Sequence, residues 1–183
     1  FANSGCLFFE GLIDEDINKE FLNDIGHTDI DDVDNIQHYF QNIKSSSSIP
    51  RIPAGTALKD AYPLNSPLEK IFKNEIVSGA INSLVGSKTV VDHQFLHLTF
   101  PSKYYEKANQ RQMSQVNHQD STIDPRTTFD IQLFYFPTAV TKEMGGTRYI
   151  PGTHLRIVNE MGIAKYQNIK AVSYTHLTLP TRL

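Results

Sequence analysis

Apolar positions along the chain recur first at helical and then at strand spacing. Residues 6–12 (CLFFEGL) form a short apolar run that predicts a strand. After Asp14, a natural N-cap, Ile17, Phe21, Leu22 and Ile25 fall on one helical face, and Gly26 supplies the stop. A second helix is predicted over 30–43, with Val33, Ile36, Phe40 and Ile43 on one face. Asp29, Asp31, Asp32 and Asp34 crowd its first turns, where they suit the positive end of the helix dipole. The stretch 45–53 (SSSSIPRIP) reads as a loop. The strongest helical pattern covers 67–84. Ser66 is its N-cap, Glu69 stands at the capping-box offset, and Leu68, Ile71, Phe72, Ile76, Ala80 and Leu84 form its stripe.

Past Gly86 the period shortens. Residues 89–100 (TVVDHQFLHLTF) are β-branched and aromatic with stretches of period two, ending at Pro101. Further strands are predicted over 114–118, 129–136 and 147–150. The last stops at Pro151-Gly152, a type II turn signal. Helices first and antiparallel-type strands afterwards point to an α+β protein, with a helical N-terminal layer on a sandwich or jelly roll.

Composition narrows the function classes. The 183 residues carry 17 Lys+Arg against 20 Asp+Glu, a formal charge of −3, without a basic run. That balance argues against a protein organised around nucleic acid or anionic lipid. The single Cys6 excludes an internal disulfide framework and a Cys-rich zinc site, and no apolar run is long enough to predict a membrane span. A cytoplasmic location is the default expectation. The segment 171–183 (AVSYTHLTLPTRL) resembles the translated read-through of a sequencing adaptor, so it is set aside as a non-native tail; the other reading is an ordinary final strand.

The candidate chemistry centres on His118-Gln119-Asp120. On a strand, positions i and i+2 share a face, so the imidazole and the carboxylate converge. Such a pair is two thirds of the 2-His-1-carboxylate set that holds Fe(II) and leaves open coordination positions. By itself H-x-D is also what a surface ion pair at a strand end looks like. Other clusters reduce to plainer readings. The run 29–34 (DIDDVD) lacks the Gly and Glu of a calcium loop. Gly145-Gly146 lacks the strand–GxGxxG–helix setting of a dinucleotide loop. Lys103, Lys107 and Arg111 read as a solvated basic face, and Cys6 as a buried apolar residue.

The residues on either side of the HQD tripeptide add specificity. Downstream, Asp130-Ile-Gln-Leu-Phe-Tyr-Phe-Pro137, Glu143-Met-Gly-Gly-Thr147 and Pro151-Gly-Thr-His154 come in series. Upstream stand Gly5-Cys-Leu-Phe-Phe-Glu-Gly-Leu-Ile13, with an acidic helix after it, and Asp92-His-Gln-Phe-Leu-His97. Together these resemble the phytanoyl-CoA dioxygenase family of Fe(II)/2-oxoglutarate oxygenases, over residues 5–170. The resemblance implies a double-stranded β-helix (jelly roll, cupin-like), incomplete at the C-terminus, with 1–170 a partial oxygenase domain. It implies that His118 and Asp120 are iron ligands, with Gln119 pointing away from the metal and Phe134 near the site. The Pro151–His154 turn is read as structural, so His154 is not taken as a ligand. His93 and His97 flank the site strand and are read as packed or hydrogen-bonded imidazoles. The cofactor set implied is Fe(II), 2-oxoglutarate and O2, with ascorbate as reductant, acting on a small organic substrate. The distal His and the Arg that the family uses to pair with 2-oxoglutarate find no match; His176 and Arg182 fall in the suspected tail and are rejected. The alternative is a non-catalytic, cupin-type jelly-roll binding module. A halogenase on the same scaffold is disfavoured because Asp120 retains the carboxylate.

Overall fold

A computed structural model of the chain describes residues 1–28, 43, 49–98, 130–141, 144, 146–152 and 154, and the backbone of 170–171 and 178–182. The predicted helix over 30–43, apart from Ile43, and the predicted strand over 114–118 lie outside these residues. Two compact units emerge. Ile13–Leu98 form one; Phe1–Leu12 with Thr99–Leu183 form the other.

The first unit is helical. Helix α1 (Glu15–Asp24) starts at Asp14, whose carboxylate makes no capping bond, contrary to the expected role. Its end follows the expectation. Gly26 takes φ +71°, its N–H donates to the Asn23 carbonyl, and His27 N–H donates to the Leu22 carbonyl. That pair of bonds is a Schellman closure, which needs a left-handed residue where glycine has no Cβ penalty. Strand β2 (Thr56–Ala57) leads through a 3-10 turn at Leu58–Asp60 to two further helices.

The helix expected over 67–84 is in fact two, α2 (Pro67–Lys73) and α3 (Glu75–Val85). Asn74, at ψ 129°, breaks the helical backbone, and its Oδ1 accepts from the N–H groups of Ile76 and Val77. A short amide satisfies the free donors of a new helix start better than it serves a helix interior. The restart also turns the apolar face. Val77 and Ile81 are buried, whereas Ile76, assigned to the stripe by continuous helical spacing, is 53% exposed. At the front of α2 the Ser66 hydroxyl accepts from Glu69 N–H, as the capping box requires. The Glu69 carboxylate reaches back one residue further, to the N–H of Asn65 at 3.1 Å.

Among the described residues of this unit, Phe21 from α1, Ile25 at its C-cap, Pro67 and Ile71 from α2, Val77 and Ile81 from α3, and Ile13 and Ala61 are buried and apolar. Their apolar area removed from water is the main stabilising term. Lys70 and Glu20 tie α2 to α1 at 2.6 Å, an exposed pair of small energetic weight.

Strand β3 (Val90–Val91) pairs antiparallel with β2 in the register Thr56↔Val91 and Ala57↔Val90. The ladder ends there, well short of the strand expected over 89–100. From His93 to Leu98 exposure alternates, with Gln94, Leu96 and Leu98 half-buried and His93, Phe95 and His97 outward. Gln94 holds that parity. Its amide donates to the Pro50 carbonyl, and its Oε1 accepts from the Tyr62 hydroxyl at 2.8 Å. Tyr62 in turn stacks on Phe72, with ring centroids 4.9 Å apart.

The second unit carries the remaining strands. They are β1 (Cys6–Phe8), β4 (Asp130–Ile131), β5 (Arg148–Tyr149), β6 (Lys170–Ala171) and β7 (Thr178–Arg182). One sheet runs β1-β7-β4 and a separate pair joins β5 to β6, all antiparallel. Thr178–Pro180 pair with β1 and Thr181–Arg182 with β4. Pro180, which has no N–H to give, therefore stands where the pairing passes from one neighbour to the other. The expected order of helices first and strands afterwards needs one amendment, because β1 belongs with the later strands. The structure is mixed helix and small sheets. Among the described residues no helix is long and apolar enough to cross a membrane.

Candidate metal centre

His118 and Asp120, the two ligands expected from the sequence, lie outside the described residues. So do His176, Lys103, Lys107 and Arg111. Among the described residues no group of three or more His, Cys, Asp or Glu side chains is arranged to hold a metal. What the structure supplies is the frame downstream and upstream of the HQD motif.

Strand β4 and its continuation carry Phe134. Its ring is half-buried and lies parallel to that of Phe136, at 6.3 Å and 8°. Residues 134 and 136 share a face because the extended chain has a period of two. Between them Tyr135 is half-buried, and burial holds its phenol protonated well above the usual range.

The turn after β5 behaves as its composition predicts. Pro151 leads into Gly152 at φ +78°, the left-handed conformation a type II turn needs at its third residue. Gly152 N–H then donates to the Ser4 carbonyl at 3.0 Å, tying this turn to the one formed by Phe1–Gly5. His154 is buried, 8% exposed. Its Nε2 lies 3.1 Å from the carbonyl of Ala2. A carbonyl only accepts, so Nε2 carries the hydrogen of this bond. Among the described residues nothing meets the ring's Nδ1. The imidazole packs against Gly5, where a Cβ would come within 2.3 Å of Nδ1. The ring of Phe1 completes the enclosure, 6.1 Å away.

The same unit holds Cys6, buried at 7% exposure; burial pushes its thiol up to about 11, so it is not a ready nucleophile. Beside it in sequence, Phe8 packs on Tyr149 with centroids 5.3 Å apart, joining β1 to β5.

In the helical unit the flanking histidines are neither packed away nor clustered. His93 and His97 face outward on either side of Phe95, with His93 stacked on Phe95 at 5.8 Å and 8°. His93 Nδ1 meets the Asp92 carboxylate at 2.7 Å. His93 is thus hydrogen-bonded as expected but exposed, because the parity set by Gln94 puts odd positions outward. The contact between His154 and Gly5 escaped the sequence reading altogether. Its one sequence signal was a glycine at position 5 just ahead of an apolar strand, where glycine also serves for many simpler reasons.

The family model for phytanoyl-CoA dioxygenase (PhyH) matches residues 1–178. The chain belongs to that family, and by that membership it is an oxygenase-type oxidoreductase. No curated protein and no solved structure matches it.

Proposed function

We propose that the protein is an Fe(II)/2-oxoglutarate-dependent dioxygenase that hydroxylates a small organic substrate in the cytoplasm. The observation that carries this reading is the family match over residues 1–178, which takes in the HQD motif and the Pro151–His154 turn. The donor set suits the metal: one imidazole and one carboxylate, two residues apart, offer the nitrogen and oxygen ligands that non-haem Fe(II) prefers. His118 and Asp120 hold the ion, and Gln119 between them points away. When bound, the iron would supply the site at which O2, the oxidant, is activated, with 2-oxoglutarate as the co-substrate that is oxidised and ascorbate as reductant. The chain's own part is to present the two ligands on one face of a strand and to line the surrounding space with aromatic rings, Phe134 among them. We place these strands in a double-stranded β-helix with residues 1–170 as the oxygenase portion, and we read 171–183 as non-native. No distal His and no 2-oxoglutarate-pairing Arg is assigned within the 183 residues.

Anaerobic Fe(II) titration tests the reading. The 183-residue chain should bind one Fe(II), and His118→Ala and Asp120→Ala should each weaken that binding by roughly 10–100-fold or more. Equal affinity in all three proteins would refute it.

A further inference from the structure

We infer that His154 is a positioning residue that clamps the Phe1–Gly5 turn, and through it the start of strand β1, onto the Pro151–Gly152 turn. Three observations converge on this role. The Nε2–H of His154 donates to the Ala2 carbonyl at 3.1 Å. The N–H of Gly152 donates to the Ser4 carbonyl at 3.0 Å. The His154 side chain fills the space that any side chain at position 5 would need, with the ideal Cβ lying 2.3 Å from Nδ1, 2.4 Å from Cγ and 2.7 Å from Cβ of His154. Gly5 is thus required twice, once by its φ of +73° and once by the ring lying on it.

The unmet Nδ1 fixes what the ring does. An imidazole that ligates a metal ordinarily donates its other N–H to a partner that orients it. His154 donates from Nε2 to the backbone, and its Nδ1 is the atom closest to the Cβ position of Gly5, buried with no hydrogen-bond partner among the described residues. The ring works by shape and by one hydrogen bond. Because Gly5 immediately precedes Cys6, the buried thiol reports on whether the clamp is closed.

The experiment uses the full chain and thiol labelling by a disulfide reagent. His154→Ala should speed Cys6 modification by roughly tenfold or more, since a locally released strand end opens without global unfolding. His154→Gln keeps a donor at the place of Nε2 and should label within about twofold of the parent. Gly5→Ala should lower the melting temperature, but less in a His154→Ala background than in the parent. A difference of roughly 4 °C between the two backgrounds is expected, because the ring that the new methyl strikes is gone. The positive φ penalises alanine in both backgrounds, so that part cancels. Additive effects of the two substitutions, or unchanged labelling in His154→Ala, would overturn the clamp. A third arm separates clamp from ligand and rests on the function proposed above: Fe(II) affinity should be equal in the parent and His154→Gln. A tenfold loss in His154→Gln would make His154 a ligand and overturn the inference. Failure of the parent to bind Fe(II) at all would count against the function alone, leaving the labelling and melting arms to decide the clamp.

Discussion

Cys6 opens β1 with its thiol buried, and that burial makes the fold sensitive to alkali. The thiol's protonation constant rises from 9.0 to about 11 on folding because burial disfavours the thiolate. The unfolded chain therefore sheds this proton first, and above about pH 9 it holds fewer protons than the native chain. Stability from this group is complete below that pH and is lost as pH climbs towards 11. Tyr62 acts in the same direction one step later, its phenol raised by burial from 10.0 to about 12. Thermal melts between pH 8 and 10 should show a decline in the parent that starts near pH 9 and is flattened in Cys6→Ala. Superimposable pH profiles would show that the thiol is not held protonated by the fold. At this scale the sequence was informative about Cys6, which an acidic chain with a single cysteine has every reason to bury. It read the Pro151–His154 turn as structural but was silent on what His154 packs against, because the partner of its imidazole lies 152 positions away at Ala2. Distant contacts of that sort leave no local pattern.

Asn74 decides the architecture of the helical unit at the scale of the element. A continuous helix over 67–84 would place Ile76 in the core; the restart at Asn74 puts Val77 there instead, fully buried. The two arrangements make opposite predictions for neighbouring residues. Val77→Ala should cost roughly 1.5–3 kcal/mol, the value of two buried methyl groups and the cavity they leave. Ile76→Ala should stay within about 0.5 kcal/mol, as surface substitutions do. Denaturant midpoints of the two variants measure this directly, and a larger loss at Ile76 than at Val77 would restore the single helix. The helical stripe was legible because Leu68, Ile71 and Phe72 recur at proper spacing before the break. The break was not, because asparagine is only mildly unfavourable inside a helix while being among the best residues to start one. The strand over 89–100 was overread for a related reason. Alternation of apolar residues gives an extended chain its two faces, but cannot say whether a neighbouring strand is there to bond with it. Among the described residues of that stretch, Val90 and Val91 find one, in β2.

For the whole molecule, the partnership of β1 is the feature that order along the chain conceals. Cys6–Phe8 come first, yet they pair with Thr178–Pro180, and the helical stretch Ile13–Leu98 intervenes in sequence. The family was legible through spacing rather than through any one residue, while the candidate ligands His118 and Asp120 lie outside the described residues. An H-x-D tripeptide alone is ambiguous; with Gly145, Gly146 and Pro151–His154 at the right intervals beyond it, it pointed to the family that the match over 1–178 establishes. Substrate identity was not legible, because shape and polarity of a pocket come from side chains brought together by the fold, and no adenine- or phosphate-binding motif marks an acyl-CoA. The central claim is that His118 and Asp120 face one point and hold iron there. A crystal structure of the chain loaded anaerobically with Fe(II) tests it most directly. One iron should lie at about 2 Å from an imidazole nitrogen of His118 and a carboxylate oxygen of Asp120, with Gln119 on the opposite face. Side chains of His118 and Asp120 on opposite faces of their strand, or iron bound at His154 instead, would contradict the account.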